Sequence, residues 1–380
     1  MSARSFCISA GSVDALERAL RETRGAVSTP TCGLLFVSGD FIQHLAVVAG
    51  RVQRFFRGVP TVIVPSAGVL HERGEHEGTS AVSGIFWSGG RVTPIFMGGA
   101  HETPQSIGER IGQTIGRRRG TAVLFHRAEG FDPSLLEAIA EIAPQAVVFG
   151  AGTVGGDPTI ITEAGEQHTA QCVGVFLEGL APPLVRAAPA CRLISPLQPI
   201  EDVSAGLVLR VGGRSALSAL SRSAPSASAS ATPSPLVLAA LAYDDDLTEE
   251  GQPRFMIRPV RGVDPSRQGV MIGGEARPGM KLGFAIRDAV SARAETEAMV
   301  RAVAQAALGS APRFALYLTC AGRGQALYGA PDVESRILRQ RFGDLPIAGL
   351  HSAFEISPRQ GHASRLEMYT SVLALFRSPS

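Results

Sequence analysis

Three side chains that could act together as a nucleophilic site lie near the ends of two predicted strands. Cys320 ends the strand RFALYLT in the sequence CAGRG, and His351 and Glu355 lie just past the end of another strand. Parallel central strands would bring these ends together, and a Cys/His/Glu set could activate a thiol. A cysteine at a strand end is more often a small buried hydrophobe, and the strand pattern leaves the direction of His351 open. We therefore predict a structural role for these residues and no catalytic residue.

Small residues at other strand ends favour a binding site instead. Ligands of open α/β sheets lie beyond the carboxyl ends of the strands, where small residues leave room and expose backbone amides. Arg323 could hold a carboxylate through its planar guanidinium, and Glu355 could receive an ammonium group, which would suit an amino acid. Alternatively, these two side chains pair with each other and the glycines serve tight turns. The predicted ligand-binding residues are Ser66, Ala67, Gly68, Gly150, Gly152, Cys320, Arg323, Ser352 and Glu355.

Two motifs resemble cofactor or metal sites but lack essential features. The run GAGTVGG from Gly150 satisfies GxGxxG after a predicted strand, yet the sequence GDP that follows favours a turn where a dinucleotide site needs a helix. The run HERGEHE from His71 has neither HExxH nor HxxEH spacing, and Gly74 weakens the helix that a metal site would need. We expect a solvated loop there, and we predict no cofactor and no metal ligand.

The elements that position these residues recur three times in the order strand, helix, strand, helix, strand, loop, strand. Short apolar runs such as GLLFVS are typical of central strands buried on both faces. The last two strands of each unit lack a helix between them, so the pattern predicts an α/β fold with mixed β-sheets flanked by helices. The third strands are predicted to end at Ser66, Gly150 and Ser352. The first strands are predicted to be SFCISA from Ser5, RVTPIFM from Arg91 and KLGFAIRD from Lys281.

Capping residues support the predicted helices. Thr103 and Pro104 are suited to the N-cap and the first position of a helix. Aspartates stand where the second helix of each unit should begin, at Asp40, Asp132 and Asp332.

Composition limits the function further. A chain of 380 residues that is 45% hydrophobic and 18% charged can fold into two domains, and its net charge of +2 argues against a nucleic-acid partner. Its five cysteines form no CxxC pair, which fits a reducing compartment, and no apolar run has the length of a signal peptide or of the roughly 18 residues that span a bilayer. We expect a cytoplasmic protein without membrane insertion. The Ser/Ala/Pro-rich segment 221–235 is predicted to be a flexible loop.

The segments CAGRGQALYG, PIAGLHSAFEISP and MYTSVLALF resemble the signature of the FIST C domain, and LLFVSGD, GVPTVIVPSAGVL and SAVSGIFW resemble the FIST N domain. The resemblance implies a FIST N-terminal domain over residues 1–200 and a FIST C-terminal domain over 201–380. It also implies an intracellular sensory module that binds small ligands such as amino acids. Phe354 stands where the family usually has glycine before Glu355, which changes the expected shape of the pocket.

The sequence thus predicts a sensory module that binds an amino acid or related small carboxylate and passes its output to a separate signalling protein. Two alternatives stay open. One is a protein-interaction scaffold, since the family occurs beside F-box domains in eukaryotic proteins. The other is a hydrolase or transferase that uses Cys320.

Overall fold

The computed structural model of the protein describes residues 2–9, 12–99, 102–223, 236–247, 253–272, 275–359 and 361–378. The chain forms two compact units. The first, here the three-sheet unit, comprises Met1–Ala188 and Glu295–Ser380, and the second, the inserted unit, comprises Pro189–Ala294.

Two repeats of strands and helices make up the first half of the chain. The first repeat consists of β1 (Ala3–Ile8), α1 (Val13–Ala26), β2 (Cys32–Val37), a 3₁₀ helix (Gly39–His44), α2 (Leu45–Phe55), β3 (Thr61–Pro65), β4 (Gly68–His71), β5 (Gly74–Glu77) and β6 (Val82–Trp87). The second consists of β7 (Arg91–Met97), α3 (Pro104–Ile115), β8 (Gly120–Arg127), α4 (Ser134–Ile142), β9 (Ala146–Thr153), β10 (Thr159–Ile161), β11 (Gln167–Thr169) and β12 (Cys172–Glu178).

The third repeat is interrupted by the inserted unit. It begins with β13 (Leu184–Pro189). The inserted elements are β14 (Cys191–Leu193), β15 (Gln198–Ser204), β16 (Leu207–Val211), β17 (Arg214–Ser215), α5 (Ala216–Ser223), β18 (Val237–Leu247), β19 (Pro253–Pro259), β20 (Gly262–Asp264), β21 (Gly269–Met271) and β22 (Met280–Arg287). The repeat then continues with α6 (Ala289–Ala306), β23 (Pro312–Cys320), α7 (Gln325–Tyr328), α8 (Val333–Phe342), β24 (Ile347–Ser352), β25 (Glu355–Arg359), β26 (His362–Glu367) and β27 (Thr370–Arg377).

Each repeat forms a sheet with the same strand order. The three orders are β1-β6-β2-β3-β10-β11, β7-β12-β8-β9-β25-β26 and β13-β27-β23-β24-β4-β5. The second and third strands of every repeat pair in parallel. The last strand of each repeat (β6, β12 or β27) pairs antiparallel with the second. The predicted α/β fold with mixed sheets is therefore confirmed.

Hairpins link the repeats in a cycle. β4 of the first repeat pairs with β24 of the third, β10 of the second pairs with β3 of the first, and β25 of the third pairs with β9 of the second. The sequence indicated a polar loop at each of these places. Since every hairpin adds to the edge formed by another repeat's third strand, the exchange draws the ends of the third strands together.

The first strand of the third repeat differs from the prediction. KLGFAIRD from Lys281 forms β22, which pairs with β18 inside the inserted unit, and β13 takes the position beside β27 instead. The apolar run of β22 suits its central position in a sheet. β13 lies at a sheet edge and is only partly buried, so its sequence carries a weak apolar signal.

The three sheets share one apolar core. A single cluster of buried side chains draws on all three sheets, while the other face of each sheet packs against its own helices. Trp87, Phe314 and Phe376 stack in this shared core, with ring centroids 4.9 and 4.4 Å apart. Burying large apolar side chains of this kind stabilises a fold by about 1.5–3 kcal/mol each.

The inserted unit is built on a nine-stranded sheet with α5 packed beside it. Its strand order is β19-β18-β22-β15-β16-β21-β20, with β14 beside β22 and β17 beside β16. Residues 221–223 of the predicted flexible loop end α5, and residues 224–235 lie outside the described residues. In the part of the chain that the structure describes, no helix is both long and apolar enough to cross a membrane.

The predicted helix starts are only partly confirmed. Thr103 caps α3 by accepting from the Ser106 amide, and Asp132 accepts from the Ser134 amide at the start of α4. Asp40 lies within the 3₁₀ helix that precedes α2. Asp332 occupies the N-cap position of α8, but its side chain accepts from a strand of another repeat instead of capping its own helix.

Candidate functional site

The ends of the three third strands meet in the three-sheet unit. Backbone hydrogen bonds join them in pairs: Ala67 N to His351 O (2.9 Å), Gly152 N to Phe354 O (2.7 Å) and Val154 N to Pro65 O (3.1 Å). Parallel strand ends and exchanged hairpins together create this meeting point, which we call the junction. The predicted binding residues of all three repeats therefore lie near one another.

Most of the nine predicted ligand-binding residues are enclosed at the junction. Ala67 is partly buried, and the other eight are buried. Ser66 donates its hydroxyl to Val37 O, and Cys320 and Ser352 are paired across β23 and β24. A side chain at Gly150 would overlap the Leu124 carbonyl, so this glycine serves close strand packing.

Phe354 fills space that a glycine at that position would leave open. Its ring lies directly over Gly152, where an added Cβ would overlap it, and it packs against Phe131 with ring centroids 4.4 Å apart. The junction is therefore tightly packed beside Glu355.

Arg323 is held by the protein itself. Its Nε donates to Glu334 Oε1 at 2.7 Å, and both side chains are 1% exposed. The remaining guanidinium donors reach Ala188 O (3.0 Å), Thr296 Oγ1 (2.7 Å) and the Tyr328 hydroxyl (3.1 Å). Its planar guanidinium thus binds an internal carboxylate.

Glu334 is ionised despite its burial. Burial acts to raise the pKa of Glu334, but the charge of Arg323 and the hydrogen bonds from Tyr328 and Thr319 outweigh it, so the pKa lies below its usual value. The pair is a buried ion pair with its lone pairs satisfied, the arrangement in which such a pair is tolerated.

Unlike Glu334, Glu355 lies in surroundings that favour its neutral form. It is fully buried, and Ser352 donates to its Oε1 at 2.6 Å, while Oε2 has no hydrogen-bond partner among the described residues. Burial raises the pKa of Glu355 well above its usual value, and the Ser352 hydrogen bond and the charge of Arg323 only partly oppose this. A neutral acid offers a hydrogen bond to a ligand, not a charge.

The thiol and the imidazole do not form a nucleophilic pair. Burial and the nearby Glu355 carboxyl raise the pKa of Cys320 to about 11, so the thiol stays protonated at neutral pH. Burial lowers the pKa of His351, and within the described part of the chain neither of its ring nitrogens makes a hydrogen bond. The geometry thus supports a packing role for Cys320.

The segment HERGEHE is not the solvated loop that its sequence indicated. It forms the β4–β5 hairpin, in which the Glu75 side chain is 3% exposed. Glu75 Oε1 accepts from the Ser335 amide in the first turn of α8, and Glu77 Oε1 accepts from the Gln325 amide at the start of α7, both at 2.9 Å. The alternation in GEHE was the available signal, because a period of two is typical of a strand.

Glu75 has a strongly shifted pKa. Burial and the charge of Glu334 raise the pKa of Glu75 to about 7, while hydrogen bonds from Ser335 oppose the rise. Its Oε2 lies 3.7 Å from Nε2 of His351. Sequence reasoning did not include Glu75 or Glu77 in the site.

A cavity in the inserted unit was also missed. It has a volume of about 230 Å³, and its lining includes Leu282, Phe284, Ser195, Arg214 and Arg222. The two arginines are exposed, and no ion pair within the described residues holds either of them. None of the nine predicted residues lines this cavity.

Comparison with known proteins assigns the chain to a family. The family model of the FIST N domain matches residues 31–214, and that of the FIST C domain matches residues 213–358. The protein belongs to the FIST family. FIST domains are associated with sensory roles in signal transduction.

Mycobacterial proteins are among the relatives of this FIST protein. An uncharacterized protein of Mycobacterium tuberculosis is 34% identical over 136 residues, which cover 36% of this chain and 35% of the relative. An uncharacterized protein of Mycobacterium bovis is 30% identical over 239 residues, 61% of each chain. The aligned part is thus about a third of the first relative's length.

The two FIST segments and the two compact units divide the chain differently. The FIST segments meet at residues 213–214, at the turn between β16 and β17 inside the inserted unit. The predicted division between residues 200 and 201 also falls within the inserted unit and stays a prediction.

Proposed function

We propose that this FIST protein is a cytoplasmic sensory module that binds an amino acid or related small carboxylate. The observation that carries the ligand class is the cavity of the inserted unit, where Arg214 and Arg222 line a recess that also has apolar walls from Leu282 and Phe284. Guanidinium groups bind carboxylates in a planar, bidentate geometry, and apolar surface beside them holds the rest of a small ligand.

The size and chemistry of this cavity fit a small ligand. Its volume of about 230 Å³ is below the range of roughly 300–1,000 Å³ for drug-sized molecules. Ser195 Oγ accepts from the Phe284 amide at 2.7 Å, so its own hydroxyl proton is available to a ligand oxygen. Since both arginines are exposed, solvent weakens the attraction, and we expect modest affinity.

The junction is the second location for the same function. Most of the nine residues predicted from the sequence lie there, but a carboxylate could reach Arg323 only by displacing Glu334 from a 2.7 Å contact. Binding at the junction would therefore require the enclosed strand ends to open. We propose that any output passes to a separate signalling protein through a ligand-biased change between two states.

Thermal unfolding of the purified full chain with a panel of amino acids and other small carboxylates tests the proposal. A ligand at 100 times its Kd stabilises a protein by about 2.7 kcal/mol, which raises Tm by a few degrees. We expect Arg214→Ala and Arg222→Ala to abolish the shift. Arg210→Ala is the matched control, because it removes an exposed arginine of the same unit that is paired with Glu201 instead of facing the cavity.

The outcomes separate the two locations. A shift that survives both cavity variants and disappears in Arg323→Met would place the ligand at the junction. No shift with any compound would contradict ligand binding and favour the scaffold alternative.

A further inference from the structure

The face of the third sheet that lies beneath α7 and α8 carries a compact group of donor atoms. In the strand register, His351 of β24 stands opposite Gly68 of β4, and Gly68 stands opposite Glu77 of β5. Residues directly paired across strands point to the same face, and so do residues two apart along a strand. Glu75 and Glu77 are therefore neighbours of His351 on one face.

Gly68 makes the approach of these side chains possible. A Cβ at this position would lie 3.1 Å from His351 Cδ2 and 3.3 Å from Glu77 Cα. The imidazole thus lies over the bare backbone of β4 and extends toward β5. A larger residue between them would occupy that space.

His351 is a buried imidazole that, within the described part of the chain, lacks the hydrogen bonds that such a group normally makes. It is 1% exposed, and neither ring nitrogen has a hydrogen-bond partner among the described residues. Leaving a buried polar group without a partner costs about 1–3 kcal/mol, so such groups need an explanation. Nε2 lies 3.7 Å from Glu75 Oε2, too far for a hydrogen bond but suitable for two ligands of one ion.

The two carboxylates each keep one oxygen available. Oε1 of Glu75 and Oε1 of Glu77 accept backbone amides of α8 and α7. These bonds fix the orientation of both carboxylates from outside the group, as partners of metal ligands commonly do. One ligand atom from each of Glu75, Glu77 and His351 lies within 4.8 Å of the others.

We propose that Glu75, Glu77 and His351 form a binding site for a divalent transition-metal ion, with Mn²⁺ and Zn²⁺ as the matching class. Carboxylate oxygens suit Mn²⁺, and an imidazole suits Zn²⁺ and related ions. Metal–donor bonds of about 2.0–2.2 Å place ligand atoms roughly 3–3.5 Å apart, so small side-chain rotations close the site. The ion neutralises the two carboxylates and gives the buried His351 its missing partner.

The site would join the exchanged hairpin of the first repeat to the third repeat. Two ligands come from β5 and one from β24, and the carboxylates also cap α7 and α8. Bound metal therefore stabilises the pairing on which the junction depends.

A second group of possible ligands lies on the opposite face of the same hairpin and serves as an internal control. Cys7 of β1 and His71 and His76 of the hairpin also place ligand atoms within 4.8 Å of one another, and all three are partly exposed, whereas the first group includes the buried His351. His71 already uses Nδ1 in a contact with Gly74 O at 3.1 Å. This group has no enclosed side chain lacking a partner, so we assign the metal to the other face.

Metal content and calorimetric titration of the full chain test the site. Protein stripped with a chelator is titrated with Mn²⁺ and with Zn²⁺, and we expect one equivalent to bind and to raise Tm. Glu77→Gln retains a carbonyl oxygen for the Gln325 amide while removing the charge. His351→Gln removes the imidazole, and His76→Gln is the matched control from the opposite face.

We expect Glu77→Gln and His351→Gln each to weaken the Kd by about tenfold or more, because loss even of a ligand's supporting partner costs 10–100-fold. His76→Gln should leave the Kd within about twofold. If His351→Gln fails to fold, Glu77→Gln decides alone. Absence of binding, binding unchanged in Glu77→Gln, or binding lost in His76→Gln overturns the proposal.

Discussion

Replacing Glu334 by alanine should destabilise the three-sheet unit by about 3–5 kcal/mol, because it leaves the buried guanidinium of Arg323 without its ion partner. Glu334 accepts from Arg323, Tyr328 and Thr319, so the substitution also removes the acceptor of two hydroxyl groups. The buried Thr319 hydroxyl, left without its acceptor, adds a cost of about 1–3 kcal/mol.

Urea unfolding at neutral pH, followed by circular dichroism, measures the effect. The pKa of Glu334 lies below its unfolded value, so the stabilisation that it supplies is present above that value and is lost as pH falls through the folded pKa. The difference between wild type and Glu334→Ala should therefore be full at pH 7 and shrink in acid.

The double variant Arg323→Met/Glu334→Leu provides the comparison. Replacing both members of a buried pair by apolar residues of similar volume is often neutral or stabilising by about 1–4 kcal/mol. We expect the double variant to be more stable than Glu334→Ala. If Glu334→Ala lowers the free energy of unfolding by less than about 1 kcal/mol, Arg323 and Glu334 do not form an ion pair that is shielded from solvent.

Other predictions concern the junction and the hairpin. Burial raises the pKa of Glu355, so folding favours its protonated form. The folded protein is therefore most stable, as far as this group is concerned, below the unfolded pKa, and it loses free energy of unfolding as pH rises toward the folded pKa. Glu355→Gln should therefore stabilise the protein more at pH 8 than at pH 5 in thermal unfolding, and a pH-independent effect would contradict this. Because burial raises the pKa of Cys320 to about 11, alkylation at pH 8 followed by peptide mass spectrometry should leave this thiol unmodified in the folded protein, and rapid labelling would argue against an enclosed thiol. Gly68→Ala places a Cβ 2.7 Å from a backbone carbonyl and should cost about 1–3 kcal/mol, whereas Gly50→Ala, in an open position of α2, should stabilise by up to about 1 kcal/mol.

Repeats and central strands were predictable because their signals are local. Apolar runs such as β2 and β8 are buried on both faces, and Thr103 followed by Pro104 marks the start of α3. These patterns depend on neighbouring residues only, so they can be read without knowing the partner strands.

The hairpin exchange could not be predicted in the same way. The polar sequence of β5 becomes partly buried only because β4 pairs with β24, nearly 280 residues away. The interrupted third repeat has a similar cause, since KLGFAIRD has the stronger strand pattern but pairs within the inserted unit.

Contacts between distant segments also kept parts of the candidate site from being predicted. Parallel strand ends predicted that Cys320 would lie near His351 and Glu355. They could not predict that the ion partner of Arg323 is Glu334, which belongs to a helix whose facing side the sequence left open. The metal ligands were hidden because Glu75 and Glu77 meet His351 only across the exchanged hairpin.

Hydrogen exchange of the full chain, with and without the small carboxylate that gives the largest thermal shift, tests sensory ligand binding most directly. We expect the ligand to slow exchange in the segments around Ser195, Arg214 and Phe284, which line the cavity of the inserted unit. Unchanged exchange throughout the chain at saturating ligand would contradict the claim that this FIST protein senses a small carboxylate.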